Sequence, residues 1–160
     1  MRRQILITLM AAASITAFSA CGDDEPSGPQ SITYTATLSG ANEVPARTTT
    51  ATGSATLTMT GTTVNYTVTG TGFTSPVTAG HIHIGAVGVN GPIIVPLTIT
   101  AGATSTTGSG TFSVAAPLTN GTTTVSGDSM KVLLNLGTSY VNIHTSTFPG
   151  GEIRGQVIKK

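Results

Sequence analysis

The sequence predicts an all-β domain, a Greek-key-like antiparallel β-sandwich of about eight strands with one short helix. Residues 31–160 are crowded with threonine, valine, isoleucine and glycine, and only 8% of the whole chain is charged. β-Branched side chains fit the pleated, half-buried surface of a sheet and lose rotamer freedom in a helix. Short runs that alternate polar and apolar residues also recur between turn signals, a pattern that is typical of sandwiches and barrels.

Eight alternating runs are the candidate strands. In chain order they read SITYTATLSG, GSATLTMTG, TVNYTVTG, AGHIHIG, PIIVPLTI, GTFSVA, YVNIHT and GEIRGQVI. The second and third form a hairpin around Gly61, because their apolar residues alternate strictly with polar ones on both arms, so that one face packs inward and the other meets water. The predicted core comprises Leu57, Met59, Val64, Tyr66, Val68, Ile82, Ile84, Val141, Ile143 and Val157.

Two segments between the strands are predicted to form a short helix and a tight turn. In SGDSMKVLLNLG, Ser126 or Asp128 can cap a helix at about 128–136, and Gly137 can end it in the left-handed conformation. A strand is the alternative reading of this short run. In GAVGVNG, Asn90 and Gly91 are the expected left-handed turn pair.

The first twenty residues are typical of a secretory signal peptide of the lipoprotein type. Two arginines precede an apolar run from Ile5 to about Phe18, which is too short to span a bilayer, and small residues follow. The cleavage region FSAC resembles a bacterial lipobox, so Cys21 is the predicted lipidation site. Cys21 is also the only cysteine of the chain, which excludes an intramolecular disulfide. An ordinary signal peptide that leaves a spare cysteine is the alternative.

Residues 21–30 are predicted to be the lipidated cysteine and a flexible tether, since GDDEPSGPQ cannot bury enough apolar surface to order itself. Gly22 follows the cysteine directly and Asp23 comes one place later, which favours the outer membrane within a cell-envelope, lipid-anchored location. After the signal, five basic and six acidic residues remain, and no basic patch exists to bind nucleic acid. Residues 31–160 are the size of one domain.

The three histidines of the chain are the candidate metal ligands. His81 and His83 share one face of HIHI if Ile82 and Ile84 face the core, and His144 lies on the outer face at the end of YVNIH. Two histidines at i and i+2 with a third from another strand can form a three-imidazole site, and neutral imidazole suits copper or zinc. We expect their main role to be structural, with each imidazole bonded to loop carbonyls or to Glu152 and bracing the GAVGVNG and FPGG loops, and metal binding is the alternative.

The segments SGANEVP, GHIHIGAVGVNGPIIVPL and YVNIHTSTFPGGEIRGQV resemble, in order and spacing, the marks of the chordin (CHRD) domain family over residues 31–159. That family takes its name from repeats in an extracellular protein that binds growth factors, and it is widespread in exported bacterial proteins. Together with the low charge and the threonine-rich faces, the resemblance favours an extracytoplasmic binding or scaffold module for an unknown protein or glycan ligand, which Cys21 would anchor to the membrane. No cofactor is expected unless the histidines bind copper or zinc. No catalytic site can be read from the residues.

A second resemblance, to the Cu/Zn superoxide dismutase sandwich, implies copper ligation by His81, His83 and His144 and anion guidance by Arg154. That family also uses a bridging histidine, zinc ligands and a disulfide, for which this sequence has no residue left, so dismutase activity is not expected. Glu152 and Arg154, two apart on one predicted strand, are alternatively expected to form a partly buried ion pair that holds the HTSTFPGG turn.

Overall fold

The computed structural model describes residues 28–160 and confirms a mostly antiparallel β architecture with one short helix. The helix α1 spans Gly127–Asn135, and a single 3-10 turn covers Gly40–Asn42. The strands are β1 Ser31–Ser39, β2 Thr52–Thr60, β3 Thr63–Thr71, β4 Val77–Ile84, β5 Ile93–Pro96, β6 Ser105–Ser113, β7 Leu118–Asn120, β8 Thr123–Val125, β9 Ser139–Thr145, β10 Ile153–Gln156 and β11 Ile158–Lys159. The predicted signal peptide, Cys21 and most of the predicted tether lie outside the described residues.

Eight strands follow one another in a single sheet, in the order β5-β4-β9-β10-β1-β2-β3-β6, and β11 also pairs with β1. The sheet curls until its two ends approach. A bridge between Ile99, just after β5, and Gly108 of β6 joins them, so that the sheet is nearly closed like a barrel or sandwich. The short β7–β8 hairpin forms a separate two-stranded sheet that lies against β5.

The strand alternation fills the interior of this sheet with apolar side chains. All ten predicted core residues belong to one cluster, nine of them buried and Ile84 packed at its margin. Burying a side chain of this size stabilises the fold by about 1.5–3 kcal/mol relative to leaving it in water. The hairpin of β2 and β3 turns at Gly61, whose φ of 60° suits glycine, as predicted.

Helix α1 lies at one end of the sheet, which we call the helix end. Ser126 caps it by accepting a hydrogen bond from the Ser129 amide at 3.1 Å, and Met130 and Leu134 are buried in the core. The helical reading of this segment is therefore confirmed over the strand reading. In residues 28–160 no helix is long and apolar enough to cross a bilayer.

Two local predictions were wrong or incomplete. Asn90 and Gly91 are not a left-handed pair, because the positive φ in this loop belongs to Gly88, at 76°. Gly91 instead packs against β4, and a Cβ there would lie 1.6 Å from the carbonyl oxygen of Ile84. The hairpin of β7 and β8 was not predicted.

Candidate metal centre

The site lies on the outer face of β4, β9 and β10. Ile82, Val141 and Ile143 point into the core, and alternation therefore places their neighbours on the opposite face. The pairing of β4 with β9 and of β9 with β10 arranges the outward-facing residues in two rows across the three strands. One row is His83, Tyr140 and Gln156, and the other is His81, Asn142 and Arg154.

This outer face of β4, β9 and β10 is largely shielded from water, whereas simple alternation predicts that it is exposed to solvent. Loops after β1, after β4 and after β9 lie over it. His83 and His144 are only 7% and 8% exposed, and Tyr140, Asn142 and Arg154 are also buried. The histidines therefore occupy a covered site, with His81 the most accessible of the three.

The three imidazoles converge. One nitrogen from each ring lies within 4.8 Å of a nitrogen from the other two. His81 Nδ1 and His144 Nε2 are 2.9 Å apart, and the centroid of the His83 ring lies 5.7 Å from that of His81 and 6.0 Å from that of His144. Within residues 28–160, these three form the one group of histidines, cysteines and carboxylates that is close enough to hold a metal ion.

Two of the rings are oriented by loop carbonyls. His83 Nδ1 contacts the Gly91 carbonyl oxygen at 2.9 Å, and His144 Nδ1 contacts the Pro149 carbonyl oxygen at 3.0 Å. Since a carbonyl only accepts, each Nδ1 carries the proton and each Nε2 carries the lone pair. His83 Nε2 is buried and, within the described chain, has no hydrogen-bond partner.

The protonation equilibria agree with this arrangement. Burial, followed by the neighbouring His144 and His83, lowers the pKa of His81 to about 4. Burial also lowers the pKa of His83 and of His144, although their carbonyl contacts partly oppose it. All three imidazoles are therefore neutral at pH 7, the form that a metal ion requires.

Tyr140 and Arg154 form a layer beside His83. The Tyr140 ring stacks on the His83 ring at 4.8 Å between centroids and 10° between planes, and the Arg154 guanidinium lies 3.4 Å from the centroid of Tyr140. Arg154 donates hydrogen bonds to Asn90 Oδ1 and to the carbonyls of Ala86 and Val89. Arg154 thus uses its donors to hold the loop after β4. These contacts favour a bracing role for Arg154 over contact with an anion.

Glu152 and Arg154 do not form the predicted ion pair. Glu152 precedes β10, and its carboxylate accepts hydrogen bonds from the Thr49 and Thr145 hydroxyls at 2.7 Å and from the amide and hydroxyl of Thr74. Burial raises the pKa of Glu152, but these donors outweigh it and hold the pKa below its usual value. Glu152 also makes no hydrogen bond to a histidine; it ties three segments together at the end of the sheet opposite α1.

Glu43 and Asn142 are polar residues of this region to which sequence reasoning gave no role. Both are buried, and Glu43 Oε1 and Asn142 Oδ1 have no hydrogen-bond partner in the described chain. Burial raises the pKa of Glu43 to about 7, although the charges of Arg154 and Arg47 partly oppose it. Glu43 lies within the SGANEVP segment, so the family resemblance was the one signal that marked it.

Comparison with known proteins gives one match. A protein-family model described as the CHRD domain matches residues 34–157. No curated protein matches the chain, and no solved structure does.

Proposed function

The chain belongs to the CHRD-domain family, and from that premise we propose that it is an extracytoplasmic binding module that holds a transition-metal ion at His81, His83 and His144. The family assignment supports a non-catalytic module of the extracellular type. That the module binds a metal ion is inferred from the chemistry of the histidine site beneath the loops.

The buried, unpartnered Nε2 of His83 is the observation that carries the proposal. A buried polar atom without a partner costs about 1–3 kcal/mol, so native structures rarely keep one without a use. Its ring is fixed from the other side by the Gly91 carbonyl. Metal-binding histidines characteristically donate their second ring N–H to a backbone carbonyl or carboxylate, which orients the ring and fixes the tautomer.

Bracing and metal binding therefore do not compete for the same atoms. The bracing contacts of His83 and His144 use Nδ1, so the Nε2 lone pairs point away from the bracing carbonyls. That of His83 has no partner in the described chain, and that of His144 accepts a hydrogen bond from His81 Nδ1 at 2.9 Å. His81 is the third ligand, and a metal ion held between the rings would replace the hydrogen bond that His81 Nδ1 now donates to His144 Nε2. Ligands of a tetrahedral ion with bonds of 2.0–2.1 Å lie about 3.3 Å apart, whereas the candidate nitrogens lie within 4.8 Å of one another, so the rings must move closer together to bind an ion.

The donor set fits copper or zinc. Imidazole nitrogens suit both ions, and nitrogen sites generally bind Cu²⁺ more tightly than Zn²⁺. The site is a single-ion site, since the chain has three histidines in all and one cysteine, at position 21. Within residues 28–160, no other group of histidines, cysteines and carboxylates is close enough to hold a second ion.

The test is the metal content of the purified full-length protein after equilibration with Cu²⁺ or Zn²⁺ and removal of free ion. One ion per chain is expected for the wild type and none for His83→Phe. The matched control is Asn65→Ala, an exposed polar position on β3 far from the site, which should bind like the wild type. Equal binding by all three proteins would place the metal elsewhere.

The envelope location is proposed on the signal sequence and lipobox. Acylation of Cys21 attaches the module to a membrane, with the outer membrane favoured, because several acyl chains on one residue anchor firmly. Cys21→Ser should move the protein from the membrane fraction to a soluble or unprocessed form, and unchanged fractionation would reject the anchor. A protein or glycan ligand stays a prediction.

A further inference from the structure

We infer that the helix end of the domain rests against the anionic lipid surface to which the chain is anchored. This inference depends on the proposed acylation of Cys21. It assigns a second contact, between folded protein and headgroups, that the acyl chains do not supply.

The first observation is an exposed apolar patch at the helix end. Val132 and Leu136 lie four residues apart, on one side of α1 and at its C-terminal cap, and are 54% and 70% exposed. Ile158 of β11 is 51% exposed, and its Cδ1 would lie 3.2 Å from a Cβ on Gly137. Three of the five large apolar side chains that are exposed in residues 28–160 therefore lie at this end of the domain.

The second observation is basic charge beside this patch. Lys159 and Lys160 follow Ile158 and are exposed. The nearest basic residue on the helix, Lys131, is paired with Asp128 at 3.0 Å. Apolar side chains next to exposed lysines match the boundary between the acyl chains and the anionic headgroups of a bilayer.

The third observation is where the anchor enters the fold. Cys21 precedes Ser31 by ten residues, which reach at most about 35 Å when fully extended. Ser31 begins β1 at the helix end, and the Lys160 amide donates a hydrogen bond to the Thr33 carbonyl two residues further along. The chain thus emerges next to the lysines and the patch. A short connection keeps this end at a high effective concentration near the bilayer, so that a weak contact is occupied.

The experiment measures how close two positions lie to the lipid. The full-length lipidated protein carries an environment-sensitive thiol dye at Leu136→Cys or, as the matched control, at Ala103→Cys, which is exposed at the opposite end of the sheet. Each protein is reconstituted in phosphatidylglycerol-containing vesicles with or without a lipid-borne quencher. We expect the quencher to dim the dye at position 136 at least threefold more than the dye at position 103. Equal quenching at the two positions would overturn the inference.

Further variants test the electrostatic and apolar contributions to the lipid contact, and whether a second copy of the chain covers the patch instead. Lys159→Glu with Lys160→Glu, and separately Val132→Asp, should reduce quenching at position 136 toward the control without releasing the anchored protein. Quenching that is unchanged in both variants overturns the assigned patch. If Leu136→Cys instead forms a disulfide-linked dimer in vesicles and its dye is not quenched, a second copy covers the patch and the inference is wrong.

Failure of the anchor is recognised separately. An acylated Cys21 has no free thiol, so the wild-type protein should take up no dye. Labelling of the wild type, together with unchanged fractionation of Cys21→Ser, removes the anchor and with it this inference. The metal site is not affected by that outcome.

Discussion

His83→Phe separates the two uses of the covered histidines. Phenylalanine keeps the burial and the stack on Tyr140, whose ring lies 4.8 Å from that of His83. It removes both nitrogens, and therefore both the contact with the Gly91 carbonyl and the candidate metal ligand. The variant thus tests the chemistry of one ring with little change in its volume.

The expected magnitudes follow from the contacts. Without metal, the lost Gly91 hydrogen bond costs about 1 kcal/mol, while removing the unpartnered Nε2 relieves about 1–3 kcal/mol. The Gly91 carbonyl also accepts from the Tyr140 hydroxyl at 3.4 Å, so it is not orphaned. The free energy of unfolding of the metal-free variant should therefore lie within about 2 kcal/mol of the wild type, on the stabilised side if anything.

With metal the two proteins should differ strongly. Free ion at a hundred times Kd stabilises the wild type by about 2.7 kcal/mol, by mass action on the folded state. For a domain of this size that is a rise in Tm of about 10 °C. His83→Phe should show no dependence on the ion.

Thermal unfolding followed by circular dichroism, with EDTA and then with buffered Cu²⁺ or Zn²⁺, measures both effects. If the wild type shows no metal-dependent Tm and the metal-free variant is destabilised by about 3 kcal/mol or more, the histidines are braces alone. A metal-dependent rise in Tm that survives in the variant would also refute the assigned ligands.

Three further predictions concern the scaffold and its titration. Ile143→Ala, in the fully buried core, should lower the free energy of unfolding by about 2–5 kcal/mol in urea denaturation, whereas the exposed control Val132→Ala should change it by less than about 0.5 kcal/mol. Glu152→Gln should cost about 1–3 kcal/mol at pH 7, because an amide nitrogen faces hydroxyl and amide donors. Since the folded pKa of Glu152 is lowered, its contribution is present above the unfolded pKa of about 4.5 and is lost as the pH falls below it; an equal slope of stability against pH in the variant would contradict this reasoning. The His81 pKa of about 4 lies below its unfolded value of about 6.5, so the unfolded chain binds the extra proton between these values. In EDTA, stability should therefore fall from pH 6.5 toward pH 4, and more steeply in the wild type than in His81→Gln.

The alternation of residues was enough to predict the faces of the strands, because a period of two fixes which side chains share a face. It paired His81 with His83 and placed His144 on the same outer surface. It also predicted α1, where Ser126 and Gly137 cap the helix as their residue types indicate. These features depend on contacts between near neighbours in the chain.

Contacts between segments that are distant in the chain could not be predicted from the alternation of residues. The carboxylate of Glu152 is held by threonines from three separate segments, and nothing local distinguishes these from the many other threonines of the chain. The same holds for the loops that cover the outer face, since periodicity reports alternation and not what lies above a strand. The predicted ion pair of Glu152 and Arg154 failed for this reason.

The bridge between Ile99 and Gly108 bears on how a sheet of this composition avoids aggregation through its edges. Strands rich in threonine and valine and poor in charge are prone to add further strands at an open edge, and proteins commonly deter this with lysines or prolines at the edge. Here β5 has only four residues and ends at Pro96, and the segment after it lies against β6. In the described chain, the segment that follows β5 thus covers part of the β6 edge. A covered edge of this kind offers fewer unpaired backbone groups to a second chain, so the connectivity of the fold can serve the purpose that charged edge residues serve in other sheets.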